Sequence, residues 1–260
     1  MRILFLILFL NCSFTFSQVI ISEFIASNKI VADKFIGNDA LGSYYFIKNS
    51  VLFKNDHSIL YEYKNLELGK PTRIDINNPM KIVLFYENFN AVVTLDNQLN
   101  ETQKVNFSEF ENPINATALG LSSRNSFWVF NILENKLGLF DYLKKEYKPI
   151  SAIISQRVKL YDSDFNYFYY LDDKNDFYSC NIFGKIKFLK HQENVQEFVV
   201  VNDQKIIYKS NDALIFLNLS TNETQEIKIS EKTILDFCYK NQILSIFTNQ
   251  EVNTYKINLE

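Results

Sequence analysis

Three stretches of this chain echo one another at a regular interval. Asp96-Asn97-Gln98-Leu99-Asn100-Glu101 closes one apolar run, and Asp141-Tyr142-Leu143-Lys144-Lys145-Glu146 closes another 45 residues later. Asn218-Leu219-Ser220-Thr221-Asn222-Glu223 closes a third after a further 77 residues. The first and third also share Asn-Glu-Thr-Gln, at Asn100–Gln103 and Asn222–Gln225. The full offset of 122 residues is three periods of about 41, the length of one four-stranded sheet in a radially repeated β architecture.

The rest of the chain keeps that period. Runs of five to eight residues rich in Ile, Val, Phe and Tyr are bounded by Asn, Asp and Ser, which is strand patterning. No segment of twelve residues or more holds a helical apolar stripe. With only six glycines and four prolines in 260 residues, turns must use Asn and Asp, which tolerate left-handed backbone and bond to their own main chain. Six hairpins follow, with Asn at each tip: Lys48-Asn49-Ser50, Glu87-Asn88-Phe89-Asn90, Leu133-Glu134-Asn135, Asp173-Lys174-Asn175, Ser210-Asn211-Asp212 and Thr248-Asn249-Gln250. The apolar runs before and after each tip are expected to be the second and third strands of six blades. More polar runs, such as Ile59–Tyr63, Glu101–Phe107 and Thr224–Ile229, suit solvent-facing outer strands.

These features predict an all-β, six-bladed β-propeller. Seven blades, another all-β repeat or a β-sandwich are the alternatives. The sixth unit ends without an outer strand, and Val19–Ile25 is spare at the other terminus. The expectation is that the N-terminal strand closes the ring and covers an otherwise open sheet edge. No linker or charge run divides residues 18–260, so one domain is expected there. The repeat resembles β-propeller proteins in general. It lacks the repeated Trp-Asp, the Gly-Gly pair and the Ser-x-Asp-x-Gly-x-Thr-Trp box of well-known subfamilies, and it has a single Trp, Trp128. Its richness in Asn, Lys, Ile and Phe, with a leader ending Phe16-Ser17-Gln18, is similar to secreted proteins of Bacteroidota such as flavobacteria. That resemblance carries over no functional residues.

Residues 1–17 read as a signal peptide: Arg2 supplies the positive start, Ile3–Leu10 the apolar run, and Thr15-Phe16-Ser17 the cleavage site. The residues before Cys12, Phe9-Leu10-Asn11, lack the small side chain usual before a lipoprotein acceptor cysteine, so no lipid anchor is expected. Cleavage leaves 26 Lys+Arg against 30 Asp+Glu, a balance that argues against a general hold on nucleic acid. No other apolar stretch reaches transmembrane length. The expected location is the periplasm or the outer membrane. Cys180 and Cys238 are expected to be separate thiols in non-adjacent blades, acting as small apolar fillers. With no Cys-x-x-Cys and no Cys/His cluster, neither metal nor cofactor is expected.

Candidate chemistry is sparse. Asp162, Asp164, Asn166 and Asp173 mimic a calcium loop, but Tyr167 stands where an EF-hand needs Gly, so solvated turn acids are the better reading. Asp75, Asp162 and Asp203 are conceivable members of a carboxylate site at the channel, though each also reads as a turn or strand-end residue. His57 and His191 read as exposed loop histidines, and no nucleophile elbow or phosphate loop is present. Phe89 sits at a hairpin tip where a bulky apolar side chain has no evident structural duty. Phe89 and Asp173 are therefore the candidate binding residues. The expected function is a non-catalytic, exported interaction platform for envelope proteins. The alternatives are a calcium-dependent propeller hydrolase or lyase and a glycan-binding module.

Overall fold

A computed structural model describes residues 19–259. The predicted signal peptide and Cys12 lie outside the described residues. Six small sheets, each built on four antiparallel strands, form a ring, a six-bladed β-propeller. Blade 1 comprises Lys34–Asn38, Tyr44–Lys48, Val51–Asp56 and Ile59–Tyr63. Blade 2 comprises Arg73–Asp75, Ile82–Tyr86, Ala91–Leu95 and Glu101–Asn106. Blade 3 comprises Ala116–Leu121, Ser126–Asn131, Lys136–Asp141 and Glu146–Pro149. Blade 4 comprises Val158–Ser163, Tyr167–Asp172, Asp176–Asn181 and Ile186–His191. Blade 5 comprises Glu197–Asn202, Lys205–Ser210, Ala213–Asn218 and Thr224–Lys228. Blade 6 comprises Asp236–Lys240, Ile243–Phe247 and Glu251–Lys256, completed by Glu23–Lys29.

Strands alternate in direction within every blade. The turns joining first to second and third to fourth strands therefore emerge on one side of the ring, here called the turn face. The second-to-third-strand hairpins and the linkers between blades emerge on the other, the linker face.

The N-terminal strand closes the ring, but four residues later than expected. Glu23–Lys29 pairs antiparallel with Glu251–Lys256, and Thr254 Oγ1 donates to Ala26 O at 3.1 Å. The first half of the spare run does something else. Val19–Ile21 pairs in parallel with the outer strand of blade 5, Val19 opposite Glu226, and makes that sheet five-stranded. The Val19–Ile25 reading thus merged two short strands serving different blades. A continuous apolar run gives no signal where the chain crosses from one sheet to the next.

The left-handed turns fall where Asn allows them. Asn49, Asn90, Asn135, Asn175 and Asn211, in five of the six hairpins, have φ between 48° and 64°. The residues of the sequence echo are turn scaffolding at third-strand ends. Asp96 Oδ1 accepts the Gln98 and Asn100 N–H groups, Asp141 Oδ1 those of Leu143 and Lys144, and Asn218 Oδ1 those of Ser220 and Thr221. Each side chain thereby mimics a backbone turn.

Each blade packs face to face on the next through its own apolar cluster. Phe85, Phe107, Phe127 and Phe140 fill the gap between blades 2 and 3. Trp128, Phe168 and Tyr170 fill that between blades 3 and 4. The Trp128 ring is fully buried, and its Nε1 donates to Asp164 O at 2.9 Å across the interface. Burying such rings is worth roughly 1.5–3 kcal/mol each, so the inter-blade clusters hold the ring together. Lys54 is buried between blades 1 and 2 and donates to Asn97 O at 2.8 Å.

Candidate functional site

The six first strands stand around a central channel containing a cavity of about 450 Å³. Its wall mixes apolar side chains, among them Ile36, Ile74, Ile76, Val199 and Phe237, with the charged groups Lys34, Arg73, Asp75, Glu87, Asp162 and Glu197. Gly37 lets blade 1 approach closely. Its φ is +141°, and a Cβ there would stand 3.1 Å from Cys238 Cβ.

Arg73 spans the channel from blade 2 to blade 4, passing in front of blade 3. Its Nη2 pairs with Asp162 Oδ1 at 2.7 Å, its Nη1 donates to Tyr161 O at 2.9 Å, and its guanidinium lies 4.4 Å from the Tyr161 ring centroid. Burial works against this charge, but Tyr161, Asp162 and Asp75 more than offset it and raise the Arg73 pKa. The Tyr161 hydroxyl accepts the Leu119 N–H of blade 3 at 3.1 Å.

The channel aspartates follow an alternating rule. Asp75 of blade 2 accepts the Leu121 N–H of blade 3 at 2.7 Å. Asp162 of blade 4 accepts the Val200 N–H of blade 5 at 2.9 Å. Asp236 of blade 6 accepts the Phe35 N–H of blade 1 at 3.0 Å. Each even-numbered blade thus lends one carboxylate oxygen to the next odd-numbered blade. A charged acceptor on a backbone N–H makes a strong hydrogen bond, so these acids are ring staples. Asp75 also accepts the Asn77 N–H at 2.8 Å. Burial raises its pKa, and the two backbone donors pull the other way.

Glu197 behaves differently. It stands at the linker-face end of the channel, opposite Lys209 in its own sheet. Burial and then the neighbouring Asp236 push its pKa up to about 7, against the pull of Lys34, Lys209 and Arg73. Asp236 is also raised by burial, opposed by the Phe35 N–H and by Lys34, Lys209 and Lys70.

The sequence candidates are dispersed. Asp75 and Asp162 do reach the channel, but as staples, and Asp203 lies in the first turn of blade 5 on the turn face. Asp162 is not a solvated turn acid: it sits within a strand, one-fifth exposed, and is paired to Arg73. Asp164 caps its own turn by accepting the Asn166 and Tyr167 N–H groups. Asp173 lies at the exposed tip of the blade 4 hairpin. Phe89 closes a short 3-10 turn in the blade 2 hairpin and is 49% exposed. Both are on the linker face, separated by blade 3. Among the described residues no group of three or more His, Cys, Asp or Glu is placed to hold a metal ion.

His57 is an exposed turn residue bonded to Asp56 at 2.7 Å. His191 is not in a loop. It ends the outer strand of blade 4 between Asp176, at 2.7 Å, and Glu193, at 3.0 Å. Its hydrogen bond to the Asp176 carboxylate raises its pKa. Cys180 is buried in blade 4 and Cys238 lies in the first strand of blade 6; both are free. Burial pushes the thiols up to about 12 and about 11. No helix among the described residues is long and apolar enough to cross a membrane.

Arg73 and Glu197, the channel residues with the most distinctive surroundings, were missed in the sequence. Each opens the first strand of its blade, and the residues beside it in the chain carry no distinguishing pattern.

No protein-family profile and no curated protein sequence matches this chain. Solved structures do. Virginiamycin B lyase from Staphylococcus aureus is similar over 85% of this chain and 79% of its own, with a TM-score of 0.57 and 14% identity. YCF48, solved bound to a D1 peptide, is similar over 89% of this chain and 82% of its own, with a TM-score of 0.57 and 10% identity. PorZ, described as an essential bacterial surface component of the type-IX secretion system of Porphyromonas gingivalis, matches 85% of this chain over 31% of its own length, with a TM-score of 0.51 and 12% identity. These likenesses establish the propeller fold, which hosts enzymes and binding proteins alike.

Proposed function

We propose that this chain is an exported, non-catalytic propeller that serves as a protein-interaction platform in the cell envelope. One observation carries the reading. The channel aspartates Asp75, Asp162 and Asp236 each spend an oxygen on the backbone of the neighbouring blade, so they do not converge as free groups on a substrate position. The scaffold is rigid and displays many loops, the arrangement that suits binding. Phe89 and Asp173 are proposed contact residues on the linker face. YCF48, the peptide-bound fold neighbour, and PorZ, the surface component of a secretion system, are consistent with this role and location. The test is affinity capture from solubilised envelope at native expression with quantitative mass spectrometry. Specific, saturable partners are expected, and their absence would refute the reading.

A second reading rests on Glu197. A carboxyl that titrates near neutrality suits general acid–base work, and Arg73 and Lys34 line the same cavity. Turnover of any hydrolase or lyase substrate that Glu197→Gln abolishes would establish this reading and displace the first.

A further inference from the structure

A cleft of about 850 Å³ opens on the linker face of blade 6, where the ring closes. The linker from blade 5 lines it with Ser230, Glu231 and Lys232, the start of the blade 6 third strand with Glu251 and Asn253, and the closing strand with Lys29.

Glu231 is the hub of a hydrogen-bond network there. Its Oε1 accepts the Tyr255 hydroxyl at 2.6 Å and Asn253 Nδ2 at 2.8 Å. Asn253 Nδ2 also reaches Glu251 Oε1 at 3.4 Å, and the Ser27 hydroxyl of the closing strand donates to Glu251 Oε2 at 3.0 Å. The Ser230 hydroxyl lies 2.7 Å from that of Tyr255. With Tyr255 donating to Glu231, Ser230 must donate to Tyr255, and every side-chain donor of the network is spent.

Two acceptors are left over. Among the described residues, Glu231 Oε2 and Asn253 Oδ1 are buried and meet no donor. Asn253 is only 8% exposed, and its amide cannot turn over, because Oδ1 would then face the Glu231 carboxylate. Buried acceptors without partners are uncommon and costly. These two belong to a network that carries two carboxylates and lacks donors, so what it calls for is a cation. Lys29 and Lys232 are exposed, and among the described residues neither forms an ion pair with Glu231 or Glu251.

We infer that this cleft is a calcium site, with Glu231 Oε2, Asn253 Oδ1 and the Glu251 carboxylate as its protein ligands. Calcium takes carboxylate and amide oxygens in flexible geometry and completes its shell with water, which the open cleft admits. The donor set is two carboxylates and one amide, so it does not need three acidic, Cys or His side chains in one group. The ion ties the blade 5 linker to blade 6 and, through Ser27, to the closing strand. It therefore strengthens ring closure, whatever the propeller binds.

The test measures the melting temperature of the purified chain after chelator treatment, with sodium chloride matching ionic strength. Calcium chloride at about 10 mM should raise it by roughly 3–10 °C, as a Kd of about 0.1–1 mM implies. Magnesium, which gives up its waters reluctantly, should give less than about a third of that shift. Calcium should slow hydrogen exchange in Glu23–Lys29, in Glu251–Lys256 and in the linker around Glu231. Glu231→Gln keeps the shape, removes a charge and offers an amide N–H to Asn253 Oδ1. It should fold without calcium at an unaltered or higher melting temperature and lose most of the calcium shift. Asn253→Asp adds a carboxylate; it should melt lower without calcium and gain a larger shift than wild type, so it decides the matter if Glu231→Gln fails to fold. No calcium shift in wild type, an equal shift with magnesium or with methylammonium chloride, or a shift that survives Glu231→Gln would overturn the inference. So would exchange that slows only outside the named segments.

Discussion

Substituting Glu197 with Gln should make the stability of this propeller depend less on pH. The Glu197 carboxyl moves from an ordinary value of 4.5 to about 7 on folding, chiefly because it is buried. A carboxyl that holds its proton more tightly in the folded state stabilises the fold below its unfolded pKa. That contribution is lost as pH rises from 4.5 to about 7, where the unfolded chain has released the proton and the folded chain has not. At 1.36 kcal/mol per unit, the loss is about 3 kcal/mol. Gln keeps the shape of the neutral acid and has no proton to lose. Wild type and Glu197→Gln should therefore be about equally stable near pH 4.5, and the variant should lead by about 2–3 kcal/mol at pH 7.5. The measurement is urea unfolding followed by fluorescence of Trp128, the single tryptophan, which is buried between blades. With a urea m-value of about 2–3 kcal/mol/M for a chain this size, the midpoint gap should open to about 1 M. Subtracting the two curves at each pH cancels titrations the variant shares with wild type. A gap that stays constant across this pH range, or one that favours wild type as pH rises, would refute the reasoning.

Three further outcomes follow from the packing and the staples. Gly184→Ala places a Cβ 1.9 Å from Ile150 O at a φ of +81°; with backbone on the other side, relief is small, and a loss of roughly 2–4 kcal/mol should appear as a lower melting temperature. Asp162→Ala leaves the Arg73 guanidinium without its ion-pair partner and the Val200 N–H without its acceptor; a cost of about 3 kcal/mol is expected in urea unfolding, and a cost below 1 kcal/mol would deny the staple role. A chain begun at Ile30 lacks Glu23–Lys29 and exposes the Glu251–Lys256 edge; it should self-associate in light scattering and lose a single cooperative transition, whereas a monomer of unchanged melting temperature would show that the closing strand is dispensable.

Much of the architecture was legible because it is local. Strand alternation, Asn-rich tips and the Asp or Asn closing the third strand of blades 1 to 5 are decided by residues a few positions apart. The second and third strands of all six blades consequently lie within one or two residues of where the sequence places them. The first strands were not legible in that way. Each faces a channel shared by six blades, so its pattern answers to neighbours as far off as 201 residues, as Phe35 and Asp236 are.

The sequence alone therefore determined the period, the blade count and the need for an N-terminal strand to complete the last sheet. Tertiary structure decided how residues 19–29 divide between blades 5 and 6, since a strand chooses its sheet by the open edge it meets. It also decided what the acids do. Asp75, Asp162 and Asp236 look like ordinary carboxylates in the chain, and become staples only when the next blade presents a backbone N–H. Glu197 acquires a near-neutral pKa only where ring closure buries it beside Asp236. Desolvation and charge proximity are properties of the assembled channel, which no segment of the chain contains by itself.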